Sequence, residues 1–236
     1  MAHIKRLAAP KTWPIKRKKT KWVTRPNPGS HPLERCISLN FVLKEMLQYA
    51  KTSREVKKIL NQEKISVDSK VRKDPHFPVG LLDVLTIKDT NEHFRVFLNK
   101  KGKLMLHKIK KEESTMKLRK LINKTIVKRK KIQLNFYDGT NKIVSTDGYK
   151  VADTIVFTLT KNEIQDHLKC EKGAFVYIID GKQIGDFGVI ESISKPSLHQ
   201  QKIICSRGKE KFETLKKYAF VIGKEKPIIS LPEYEQ

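Results

Sequence analysis

The sequence predicts a multi-domain α+β chain: an extended basic leader, a two-helix unit with a small β-sheet, and two small β-barrels. Three observations predict it. Residues 1–40 hold ten Lys or Arg and five prolines with little periodic apolar content, which excludes a long helix there. From Ser38 the apolar residues take up helical spacing. Beyond residue 100, short β-branched runs alternate with Asp-Gly pairs, a pattern of small barrels rather than of a layered α/β domain.

Length and charge bound the function. The chain has 236 residues, enough for one large or two to three small domains. Lys and Arg number 50 against 25 Asp and Glu, a formal charge of +25. Self-repulsion of that size opposes compaction unless a polyanion neutralises it. The 38% apolar fraction still supports folded cores. A phosphate-rich partner is therefore expected, and nucleic acid fits better than membrane. No run of about 18 apolar residues is present, which excludes an ordinary transmembrane helix. The N-terminus carries cations but no apolar h-region, so secretion is not expected. Cys36, Cys170 and Cys205 lie far apart with no C-x-x-C pair. They read as buried thiols of a reducing compartment, the cytosol, rather than as zinc ligands.

The leader, residues 1–37, comes first. Residues 1–40 contain one acid, Glu34, and a net charge of +9. Alone in water such an arm should be disordered, yet Trp13 and Trp22 within it suggest that it packs on something. Both tryptophans are open to two readings, stacking on an unpaired base or packing on the protein's own body. KRKK, Lys16 to Lys19, also matches a nuclear-import signal.

Residues 38–99 form the next unit. Leu39, Val42, Leu43, Met46, Leu47 and Ala50 follow helical spacing over Ser38 to Ala50. In TSRE, Thr52 and Glu55 are placed for a capping box at the start of a second helix, whose stripe is Val56, Ile59 and Leu60. Short β-segments follow at Ile65 to Val67, Lys70 to Arg72 and Leu81 to Ile87, with a turn near Asp68-Ser69. Leu81, Leu82, Val84, Leu85 and Ile87 can anchor this sheet on the helices. That would fix Lys70, Arg72 and Lys73 beside the helix-borne Arg54, Lys57 and Lys58. Any single one of these cations also fits a solvated face. His76, between Pro75 and Phe77, reads as structural.

Residues 100–170 and 171–236 form the two β domains. Residues 100 to 131 carry a net charge of +12, with Met116, Leu118, Leu121 and Ile122 as a short helical patch. Asp138-Gly139 and Asp180-Gly181 stand between apolar runs and read as tight hairpins. A last strand runs from Tyr218 to Ile222 before a loose tail.

These stretches carry a resemblance. The run from Leu39 through TSREVKKILNQEKISVDSKVRKDPHFPVGLLDVLTI resembles the RNA-binding alpha-L motif, two antiparallel helices followed by a small twisted sheet. GAFVYIIDGKQIGDFGVIESI resembles a KOW motif. With the opening MAHIKRLAAPKTWPIKRK and the central IQLNFYDGTNKIV, the chain is similar over nearly its whole length to one family, archaeal and eukaryotic small-subunit ribosomal protein four, the e-type. Ser69 and Ala152 stand where that family commonly has Gly, which puts the local turn geometry in question.

The resemblance implies SH3-like barrels, the last containing the KOW motif, and a structural role with no cofactor, no metal and no catalytic residue. It implies small-subunit ribosomal RNA and neighbouring small-subunit ribosomal proteins as partners, with no membrane and no homo-oligomer, in the cytoplasm. The RNA-binding residues it implies are Lys5, Arg6, Lys11, Lys16, Arg17, Lys18, Lys19, Lys21 and Arg25 of the arm, with Arg54, Lys57, Lys58, Lys70, Arg72 and Lys73. Helical RNA is read largely by shape and by phosphate and 2′-hydroxyl contacts. Two alternatives remain, an RNA-modifying enzyme with an accessory alpha-L unit and an assembly or transcription factor. The sequence has no G-x-G-x-x-G after a strand, no G-x-x-x-x-G-K-[ST] and no H-E-x-x-H. The long basic arm with its tryptophans suits permanent burial in RNA better than a free factor.

Overall fold

A computed structural model describes residues 2–127, 131–145, 147–194, 201–208 and 210–232. The cations at 128–130 and the tail at 233–236 lie outside the described residues. The chain divides into two compact units, Met1–Phe97 with Lys103–Lys117, and Leu98–Gly102 with Leu118–Gln236. It is multi-domain and mostly β, with few helices. Among the described residues no helix is long and apolar enough to cross a membrane.

In the first unit β1 (His3–Lys5) pairs antiparallel with β2 (Trp22–Thr24), Ile4 opposite Val23. Next, β3 (Cys36–Ser38) leads into α1 (Leu39–Phe41), which continues as a π-helical stretch, Val42–Met46. The Ser38 hydroxyl caps α1 by accepting from the Phe41 amide. α2 (Ser53–Asn61) opens with the capping box expected of TSRE: Glu55 N donates to Thr52 Oγ1, and the Glu55 carboxylate accepts from the amides of Lys51 and Thr52. The remaining strands are β4 (Ile65–Val67), β5 (Lys70–Val71), β6 (Pro78–Gly80), β7 (Val84–Ile87), β8 (Glu92–Leu98) and β9 (Leu104–Ile109). They form a sheet in the order β5-β4-β7-β8-β9, while β6 pairs with β3. Leu39, Val42, Leu43, Val56, Leu60 and Leu85 are fully enclosed. Each such side chain contributes about 1.5–3 kcal/mol by leaving water.

Two expectations for this unit are corrected. The first helix does not reach Ala50. Leu47 N donates to Val42 O, Tyr49 N donates to Leu43 O, and Gln48 takes φ +59°, so the chain leaves the helix after a widened π turn. The arm is also neither extended nor disordered. Trp13 is 1% exposed, its ring centroid 6.5 Å from that of Phe41, and its Nε1 donates to Leu33 O. Leu104 N donates to Thr12 O at 2.8 Å. Ala9, Ile15 and Val23 are buried as well. An apolar strip this sparse escapes a search for periodicity, yet it is enough to seat the arm on its own domain.

The second unit contains two antiparallel sheets. β10 (Met116–Val127), β11 (Lys131–Phe136), β12 (Asn141–Val144), β13 (Thr154–Thr158) and β14 (Glu163–Leu168) lie in the order β12-β11-β10-β13-β14. Their core gathers Leu121, Leu134, Phe136, Ile155 and Phe157, with Phe136 and Phe157 edge-to-face at 5.2 Å. β15 (Phe175–Ile178), β16 (Phe187–Ile193), β17 (Lys202–Arg207), β18 (Glu210–Leu215) and β19 (Ala219–Gly223) lie in the order β18-β17-β16-β15-β19.

The helical patch expected at Met116 to Ile122 is strand. Residues 117–121 are all buried, so the apolar positions there do not alternate as in a half-exposed strand; a β-bulge follows, where the register shifts between Leu121 and Asn123. Asp138-Gly139 does close β11 onto β12, with Gly139 at φ +71°. Asp180-Gly181 instead lies in an eight-residue connection, 179–186, between β15 and β16.

Candidate nucleic-acid interface

The helix-borne cations are set by the packing of α2. Val56 and Leu60 are completely buried, so the opposite side of the helix presents Arg54, Lys57 and Lys58 to solvent. The sheet-borne cations depend on the β4–β5 turn. Asp68 and Ser69 adopt φ +51° and +62°, the doubly left-handed geometry of a tight hairpin. The turn has therefore kept its shape without Gly, at a cost of roughly 1–2 kcal/mol for a left-handed L-residue. Ala152, at φ +78°, does the same.

A buried polar network fixes that turn. Lys117 is 3% exposed at its side chain, and its Nζ lies 2.5 Å from both Asp68 Oδ2 and Asp83 Oδ1. Asp68 Oδ1 accepts from Val84 N, Asp83 Oδ2 accepts from Gly80 N, and His31 Nε2 sits 3.1 Å from Asp83. Burial pushes the Asp83 carboxyl up, but the His31 ring and the Lys117 ammonium together hold it well below the usual carboxylate range. One network thus ties the arm, at His31, to the turn that carries Lys70.

Ten of the fifteen cations expected at the interface are exposed with no carboxylate partner among the described residues: Lys5, Lys11, Lys16, Lys18, Lys19, Lys21, Arg54, Lys57, Lys58 and Lys70. Lys5, Lys18, Lys19 and Lys21 rim a shallow basic cleft of about 500 Å³. Two residues are corrected. Arg6 is 4% exposed; its guanidinium pairs with Glu45 and donates from Nε to Thr20 Oγ1, so it ties the arm to the Val42–Met46 helical stretch and is not a surface contact. Arg17 is half-buried and donates to the carbonyls of Arg6, Leu7, Ala9 and Pro10, holding the arm's first turn closed.

Three others are engaged but reachable. Arg72 lies over the Phe77 ring at 4.2 Å, Lys73 pairs with Glu63 at 2.7 Å, and Arg25 is half-buried. The Lys73–Glu63 pair joins the loop after β5 to the end of α2. The tryptophans divide between the two readings: Trp13 packs, whereas Trp22 remains 50% exposed with Lys21 Nζ 5.6 Å from its ring centroid. His76 is structural as expected, its Nδ1 2.8 Å from Arg25 O.

The sequence reading missed Lys44 and Lys51. With Lys16 and Lys19 they line a second cleft, of about 440 Å³. Lys44 was visible only as a polar position within the first helical pattern, and Lys51 only as one between the two helices. Lys117, Arg119 and Lys120, which contribute to the +12 of residues 100 to 131, are all three buried. Arg119 pairs with Asp138 at 2.9 Å, and Lys120 Nζ donates to Lys217 O at 2.8 Å. The three cysteines are buried and free. Among the described residues no group of three or more His, Cys, Asp or Glu could hold a metal ion.

Comparison with known proteins adds to this geometry. A family model described as "Ribosomal family S4e" matches residues 90–164, and one described as "RS4NT (NUC023) domain" matches residues 2–34. Proteins named small ribosomal subunit protein eS4 from Methanococcus aeolicus and Methanocaldococcus jannaschii are each 40% identical over 238 residues, 97% of this chain and 97% of theirs. The crystal structure of the 30S ribosomal protein S4e from Thermoplasma acidophilum is 29% identical, with a TM-score of 0.71, and the match covers 80% of this chain and 96% of that one.

Proposed function

This chain belongs to the S4e family of ribosomal proteins, and from that premise we propose that its exposed cations neutralise phosphates of small-subunit ribosomal RNA and lock the fold of that RNA. It is a structural constituent of the small ribosomal subunit and serves translation. The family is one of structural components rather than of enzymes, and catalysis has no part in the reading.

The observation that carries the proposal is the separation of two kinds of cation. Arg6, Arg95, Lys117, Arg119 and Lys120 are buried and consumed by the protein's own carboxylates and carbonyls. The ten exposed cations are left for an external polyanion. They lie on rigid supports, the capped helix α2, the pinned β4–β5 turn and the closed arm. A rigid array can match the spacing of a nucleic-acid backbone, where a floppy tail only attracts it.

We read the two helices with β4 and β5 as an alpha-L unit, and the two five-stranded sheets as SH3-like barrels, the last holding the KOW element. On this reading the second unit bridges further RNA or neighbouring small-subunit proteins.

The test is a combined Arg54→Ala, Lys57→Ala, Lys58→Ala and Lys70→Ala variant in filter binding to small-subunit ribosomal RNA. Weaker binding at unchanged circular dichroism is expected, because all four side chains are exposed. Unchanged affinity would move the interface elsewhere.

A further inference from the structure

The arm meets the rest of the first unit along a seam whose two sides carry charge of one sign. The cleft of about 440 Å³ opens on this seam, with Lys16 and Lys19 on the arm's side and Lys44 and Lys51 on the other. Lys16, Lys19 and Lys51 are exposed and Lys44 is half-buried; none of the four has a carboxylate partner among the described residues. Two carboxylates stand nearby, and both are already engaged. Glu45 lines the cleft, but the Arg6 guanidinium holds it. Glu55 feels the Lys51 charge, yet its carboxylate accepts from the amides of Lys51 and Thr52.

The forces that close the arm lie outside the cleft. Trp13 and Ile15 are buried, Arg6 pairs with Glu45, and Leu104 N donates to Thr12 O at 2.8 Å. Closure brings Lys16 and Lys19 up to Lys44 and Lys51, so it works against the mutual repulsion of four ammonium groups. An anion seated among them reverses the sign and draws the two sides together. The cleft admits a phosphodiester with its flanking riboses, not a folded partner.

We propose that this cleft takes the phosphodiester backbone of the bound RNA, which bridges the arm to the helical segment opposite, so that RNA binding and arm closure strengthen each other. This rests on the phosphate reading above and adds to it two contacts, Lys44 and Lys51, and a linkage. An RNA phosphate prefers the closed arm, because only there do all four ammonium groups surround it. Reciprocity then requires RNA to hold the arm shut by the same factor. Lys44 and Lys51 therefore act in opposite senses in the two states. They loosen the arm in the free protein and fasten it in the complex.

The test follows hydrogen exchange at the Leu104 amide of the full chain by fragmentation mass spectrometry, at low salt, with and without small-subunit ribosomal RNA. That amide donates to Thr12 O of the arm, so its exchange reports the arm opening. Wild type should exchange about 10-fold more slowly once RNA is bound, a usual size for a coupling between sites. A Lys44→Gln, Lys51→Gln variant should exchange more slowly than wild type when free and should lose most of the slowing by RNA. A Lys57→Gln, Lys58→Gln variant removes the same charge from α2, outside the cleft, and should keep that slowing. In filter binding the cleft variant should make the salt slope shallower by about 1.5, the share of two phosphate contacts. Exchange in wild type that RNA leaves unchanged would overturn the linkage without recourse to any variant. Equal slowing in wild type and the cleft variant, or an unchanged salt slope in that variant, would overturn it as well. With any of these results and a steep wild-type salt slope, the phosphate reading stands. A flat wild-type slope would remove both.

Discussion

Replacing Lys117 by Met tests whether the interface is held rigid by its buried network. The ammonium is 3% exposed and lies 2.5 Å from both Asp68 and Asp83, so its loss strands the buried Asp83 carboxylate and the half-buried Asp68 carboxylate. Removing one partner of a buried ion pair typically costs 3–5 kcal/mol. His31 remains beside Asp83, which keeps the expected loss at the lower end, about 3 kcal/mol. With a urea slope of about 1.5 kcal/mol/M, that becomes a fall of about 2 M in the unfolding midpoint. Both of the chain's tryptophans lie in the first unit, so intrinsic fluorescence follows that unit's unfolding without interference from the second. Adding Asp83→Asn to Lys117→Met should cost less than the two single losses summed, since the residues share one network. A midpoint shift below about 0.5 M with an unchanged slope would mean that Lys117 is not the group that neutralises the pair.

Two further outcomes are expected. Ser69→Gly should raise the stability of the first unit by about 1 kcal/mol in the same urea assay, because the exposed serine sits at φ +62° where only Gly is at ease. Ala152→Gly should gain less in the second unit, since it gives up a methyl group that is 5% exposed; a loss on Ser69→Gly would mean that the left-handed turn is not retained in solution. All three thiols should resist a disulfide reagent at pH about 8 in the native protein and react once it is unfolded. Burial, with Asp83 nearby, pushes Cys36 up to about 12, and burial with Cys170 and Glu191 nearby pushes Cys205 up to about 11. Rapid reaction of any thiol in the native protein would contradict that burial.

Features set by neighbours a few residues apart were legible in the sequence. The capping box of α2 spans Thr52 to Glu55, the β4–β5 turn spans two residues, and Asp138-Gly139 closes its own hairpin. What the sequence hid depends on partners distant along the chain. Arg6 meets Glu45 and His31 meets Asp83, and no local pattern marks either pair. Their absence from view made the arm look disordered and made Arg6 look like a surface cation. β10 was obscured differently: Lys117, Arg119 and Lys120 are charged yet buried, so polarity there did not mean exposure. The exposed cations of α2 were readable because Val56 and Leu60 fix which side of the helix faces inward. The cleft around Lys44 was not, since it exists only once the arm has closed on α1.

The salt dependence of binding to small-subunit ribosomal RNA tests the central claim most directly. If the ten cations expected at the interface that are exposed and have no carboxylate partner among the described residues each neutralise one phosphate, log K should fall against log salt with a slope between about −7 and −9. A slope near zero in the same filter-binding titration would contradict the account, because such an interface could not consist of ammonium and guanidinium groups laid against phosphate.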